Sequence, residues 1–72
     1  MTDEEIVKEM QRAWGRAADD ILAPGEEMPG EEVACIALDI APYEVQKAWL
    51  IRDDETRERI KRKAFNYEAW YC

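Results

Sequence analysis

ACIALDIAPYEVQKAWL (Ala34–Leu50) is the stretch whose reading decides the fold. Val33, Ala34, Ile36, Ala37 and Leu38 form a short apolar run of helix-compatible residues. Asp39 follows, and aspartate tolerates the left-handed backbone better than most residues. Pro42 cannot sit inside a helix, but its fixed φ suits a first helical position. The pattern therefore predicts one helix stopping near Leu38 and another starting near Pro42, with a tight connection between them. Val45 and Ala48 should face the first of these helices, with Trp49 beside them. Tyr43, Glu44, Gln46 and Lys47 should fall on the other face, toward solvent or a ligand.

This stretch resembles the helix-turn-helix of bacterial and phage DNA-binding proteins. That family has a small residue in the first helix, glycine at the turn, an apolar residue after it, and valine or isoleucine in the second helix. Cys35, Asp39, Ile40 and Val45 occupy those places here, and Pro42 stands where many members carry proline. Two positions depart from the pattern: Asp39 replaces glycine, and Ile36 stands where a polar residue is usual. Ile36 is therefore expected to pack on an additional element, such as the first helix of the chain. The following segment, IRDDETRERIKRKAFNYEAWY (51–71), is similar to the one after the motif in partition proteins of the ParB/KorB type. There an acidic helix start leads to a basic stretch and a short terminal helix. Together the resemblances span residues 33–71. They imply a recognition helix whose Tyr43, Glu44, Gln46 and Lys47 meet base edges or phosphates in a major groove. Arg52, Arg57, Arg62 and Lys63 would contact phosphates.

At 72 residues the chain has room for one domain. A domain of this size buries only about 60% of its unfolded surface, so packing must be good or the chain must associate. With 47% hydrophobic and 38% charged residues, the composition is too apolar for a disordered chain. The expected fold is all-α, a small domain of four to five helices containing the helix-turn-helix. It divides into an acidic first helix (1–23), a loop (24–30), the helix-turn-helix (31–52), and a basic helix with an aromatic tail (53–72).

The first helix should run from Asp3 to Leu22, capped by Thr2 or Asp3, with Asp3, Glu4 and Glu5 favouring its positive end. Ile6, Met10, Ala13 or Trp14, Ala17 and Ile21 recur at helical spacing and make its inner stripe. Gly15 weakens this helix and is expected to admit a close neighbour, the recognition helix. APGEEMPG (23–30) ends it. Asp53 and Asp54 should cap a helix from Glu55 to Ala64, with Ile60 and Ala64 inward and Glu55–Arg59 as a favourable pair. Asn66 should cap a final short helix. Phe65, Tyr67, Trp70 and Tyr71 are expected to fold back on the core or form a homodimer contact.

Charge is distributed unevenly. Residues 1–32 hold ten acids and three bases, whereas residues 33–72 hold seven of each. Two function classes follow. One is a small DNA-binding regulator, of phage or plasmid type, with a basic face from Arg57, Arg59, Lys61, Arg62 and Lys63. The other is an acidic protein-binding inhibitor or adaptor that imitates the charge of DNA. It would use Glu4, Glu5, Glu9, Asp19 and Asp20, with the helix-turn-helix as scaffold. There is no histidine, no serine and no glycine-rich phosphate loop, so neither catalysis nor a cofactor is expected. Cys35 reads as a small core residue and Cys72 as exposed. Two cysteines without histidine do not complete a zinc site within one chain. No apolar run reaches membrane-spanning length, and residues 1–10 are acidic rather than signal-like. The expected compartment is cytoplasmic, where a disulfide is disfavoured.

Overall fold

A computed structural model describes residues 1–67. Trp70, Tyr71 and Cys72, and with them the rest of the expected tail contact, lie outside the described residues. The described chain is all-helical: α1 (Asp3–Ile21), α2 (Gly30–Ile40), α3 (Tyr43–Leu50) and α4 (Asp54–Phe65). α1 packs on the other three helices, and α2 packs on α3 and α4.

The helix starts obey local chemistry. Thr2 caps α1 in a capping box: the Glu5 amide donates to Thr2 Oγ1 at 3.1 Å, and the Thr2 amide donates to Glu5 Oε1 at 3.0 Å. Asp53 caps α4, its Oδ1 accepting from the Thr56 amide at 3.0 Å. Both carboxyls are held below their ordinary pKa, chiefly by these hydrogen bonds with Thr2 and Thr56. Lys63 and Arg62 lie in the last turn of α4, where cations are favoured.

The α2–α3 corner differs from its expectation. α2 continues through Asp39 to Ile40, and Asp39 is an ordinary helical residue. Proline sets the break instead. Pro42 excludes helical backbone at the residue before it, and Ala41 is accordingly extended, at φ −67° and ψ 158°. Pro42 is itself extended, and its carbonyl accepts from the Val45 amide at 2.9 Å to start α3. The left-handed backbone lies elsewhere: Asn66, expected to cap a final helix, has φ 48° and closes α4.

The core is thin, because the Cα envelope measures only 35 × 32 × 15 Å. Ile6 and Met10 of α1, Val45 of α3 and Ile60 of α4 are its largest fully buried side chains. Ala34 and Ala37 of α2 are fully buried among them, small enough to let the helices close. Trp14, Ala48, Trp49, Phe65 and Tyr67 pack around this centre. Phe65 and Tyr67 thus fold back as expected. A Cβ built on Gly30 would lie 2.7 Å from Tyr67 Cβ, so this glycine is where the chain after α4 can cross the start of α2.

Several expectations fail, and for Cys35 and Ile36 the reason is that a helix face, not a local run of apolar residues, decides burial. Cys35 is exposed. Ile36 does not join the core; it lines a surface recess with Pro29, Glu31, Glu32 and Cys35. Ile21, at the end of the α1 stripe, is 37% exposed. Gly15 has open space where a side chain would stand, so none of the described helices closes on it there. Lys61, counted with the basic surface, is only 7% exposed and pairs with Glu58 at 3.3 Å. Among the described residues, no helix is long and apolar enough to cross a membrane.

Replacing Ile60 by alanine should cost about 2–5 kcal/mol in a urea unfolding titration, enough to leave so small a domain largely unfolded. The lowered carboxyl of Asp53 stabilises the fold fully above the ordinary carboxylate range, about pH 4. That stability is lost as pH falls through the lowered value. Asp53→Asn keeps a good cap but removes the titration, so its melting temperature should fall less steeply below pH 4 than that of the unmodified protein.

Candidate functional site

The outward face of α3 carries the most unusual surface in the structure. Val45 is buried, and Ala48 and Trp49 are half-buried against the core, as expected. Residues 43, 47, 50 and 51 then share the opposite face by helical spacing. Tyr43 is 70%, Leu50 56% and Ile51 83% exposed. Ile40, exposed at the end of α2, precedes them across the corner. Among the described residues Lys47 is the cation on this face, its Nζ 5.3 Å from the centre of the Tyr43 ring. Leu50 and Ile51 were not among the sequence-derived site residues. Their signal was the helical offset of seven and eight from Tyr43.

Gln46 turns toward α2. Its Nε2 donates to the Asp39 carbonyl at 3.0 Å and the Ala41 carbonyl at 3.2 Å. The side chain thereby satisfies carbonyls left open where α2 ends. Trp49 Nε1 donates to the Arg57 carbonyl at 3.2 Å, tying α3 to α4.

The expected phosphate contacts are distributed differently. Arg52 turns back to the chain start: Nε meets Asp3 Oδ1 at 2.6 Å and Nη2 meets the Met1 carbonyl at 2.6 Å, while Nη1 donates to the Ala48 carbonyl. Its side chain is only 18% exposed. Arg57 pairs with Asp54 and stacks at 5.6 Å from the Trp49 ring centre. Arg62 Nε donates weakly to the Glu58 carbonyl at 3.4 Å. Arg59 donates to Thr56 Oγ1 at 3.0 Å rather than pairing with Glu55. Lys63 remains exposed, 3.8 Å from Glu4. Tyr43, Glu44 and Lys47 therefore share an open surface, whereas Arg52 and Arg57 are committed to intramolecular bonds.

The acidic candidates divide similarly. Glu5 is held in the capping box, and Glu9 pairs with Arg12 at 2.8 Å. Lys8, Arg12 and Arg16 intersperse the acids of α1, so its solvent face has mixed sign. Asp19 and Asp20 are exposed at the far end of α1, away from the Glu4–Glu9 turns. Glu31, Glu32 and Asp39 on α2 and Glu44 on α3 are exposed and form no ion pair among the described residues. Asp39 and Glu44 lie where α2 meets α3, and Glu31 and Glu32 lie in the first turn of α2.

Arg52→Ala should lower stability by about 1–3 kcal/mol, from the loss of charge-assisted bonds to the chain start. Amide exchange in the first turn of α1 should accelerate with it. Lys47→Glu, an exposed surface change, should alter stability by no more than about 0.5 kcal/mol. Urea titrations of the two variants check this contrast directly. No family model matches the chain, and no curated protein or solved structure matches it.

Proposed function

We propose that the protein is a small helical binding module that docks on another protein through the outward face of α3. The observation that carries this reading is the exposure of Tyr43, Leu50 and Ile51 on one helix face. A domain with so thin a core has little apolar surface to leave uncovered, and contiguous apolar residues on a helix are the usual means of seating it on a partner. Tyrosine and large aliphatic side chains supply contact area at small entropic cost, and Lys47 with Glu44 supplies a polar rim. The role is that of an inhibitor or adaptor, with binding itself as the activity.

A second reading, a DNA-binding regulator, is favoured by one observation. Two helices meet across the two-residue connection Ala41–Pro42, and the second exposes Tyr43, Glu44 and Lys47 along its first turns. Against it stands the intramolecular use of Arg52 and Arg57, since phosphate contacts supply most DNA affinity.

A photo-crosslinking residue at position 51 tests the first reading in an extract of the source cells. A discrete protein adduct that disappears when Leu50→Asp is added is the expected result. No adduct, or one indifferent to Leu50, removes the α3 docking face. Anisotropy titration against random-sequence duplex DNA at low and raised salt tests the second. Salt-sensitive binding abolished by Lys47→Glu would replace protein docking with DNA recognition.

A further inference from the structure

The docking face borders a recess between α2 and α3, lined by Leu38, Asp39, Gln46, Trp49 and Leu50. It encloses about 130 Å³. That is well below the roughly 300 Å³ at which small-molecule sites begin, and it suits a single side chain. Leu38 and Trp49 supply apolar walls, and the exposed Leu50 supplies a lip. The polar groups are all of one kind. Asp39 is exposed and forms no ion pair among the described residues. Gln46 uses its amide nitrogen on the Asp39 and Ala41 carbonyls, which leaves its Oε1 as a free acceptor. Two acceptors beside apolar walls describe a receptor for a group that only donates and that has an aliphatic stem.

We infer that this recess receives an arginine side chain of the partner protein; the inference rests on the α3 docking reading and specifies the partner's chemistry. The stem lies along Leu50 and Leu38, and the guanidinium meets Asp39 and Gln46 Oε1. A planar fork of donors serves two separate acceptors better than the point charge of lysine. Charge complementarity selects the same occupant. Asp39 and Glu44 outnumber Lys47 where α2 meets α3, and the chain's net charge of −7 disfavours a second copy of itself.

The test is an amide NMR titration of the full chain with the peptide acetyl-Leu-Arg-Leu-amide. Its comparators are the same peptide with citrulline, the uncharged isostere of arginine, and with lysine. Saturable shifts at Asp39, Gln46, Trp49 and Leu50 are expected, with affinity about tenfold or more lower for citrulline. Asp39→Asn should produce a similar loss, and the lysine peptide should bind more weakly than arginine. Equal binding of the citrulline or lysine peptide overturns the inference. So do shifts spread over all the acids without saturation. Ile51 does not line the recess, so Ile51→Glu should retain the arginine peptide. A Leu50-dependent adduct at position 51 without arginine binding leaves α3 docking standing and removes the recess alone. Arginine binding with no protein adduct does the reverse to the α3 reading.

Discussion

Pro42 is the constraint on which the rest of the arrangement depends. It has no amide hydrogen to continue α2, and it forces Ala41 out of helical backbone. The chain must turn there, and the Pro42 carbonyl begins α3 at once. This register sends Val45 into the core that also holds Ile6, Met10 and Ile60. The same register leaves Tyr43, Leu50 and Ile51 outward. A proline one residue later would rotate α3 by roughly 100° about its axis and exchange much of the buried face for the exposed one.

Polar ties then hold α3 where a thin core leaves gaps. Gln46 spans the corner to α2, the Trp49 indole reaches α4, and Arg52 just beyond α3 reaches the start of α1. The Gln46 tie also fills carbonyls left open where α2 ends, and the Arg52 tie is charge-assisted. Side chains otherwise suited to nucleic acid are thereby spent on the fold. The intramolecular pairs Arg52–Asp3, Arg57–Asp54 and Lys61–Glu58 commit three of the seven bases of residues 33–72 to the fold.

Local signals were legible in the sequence. The caps at Thr2 and Asp53, the inner stripe through Ile6, Met10 and Ala13, and the inward Val45 could all be read from spacing and residue type. The misreadings have three physical origins. Cys35 and Ile36 sit in an apolar run, but at 100° per residue they share a helix face with Glu31, Glu32 and Asp39, and that face is the wet one. Arg52 could not be read at all: its partner Asp3 lies 49 residues away, and only the packing of α1 beside the end of α3 brings them together. Asp39 failed differently, because its poor helix propensity is small beside the backbone bonds that carry α2 on to Ile40.

The apolar face and the acidic residues near it divide the work of the proposed interface. Uncompensated carboxylates act over about 8–10 Å at physiological salt, so they govern encounter and reject anionic surfaces, including nucleic acid and other copies of this chain. Once a partner is seated, Tyr43, Leu50 and Ile51 leave water, and each fully buried aliphatic side chain is worth about 1.5–3 kcal/mol before the costs of association. Those costs consume much of the gain from three or four residues alone. A face this narrow therefore needs one buried, geometrically matched contact to become selective. The α2–α3 recess is adjacent to Leu50 and has the size and acceptor pattern for that contact. Its acceptor is available because Gln46 was first recruited to close α2, so the interaction that completes the fold also shapes the place where a partner would be read.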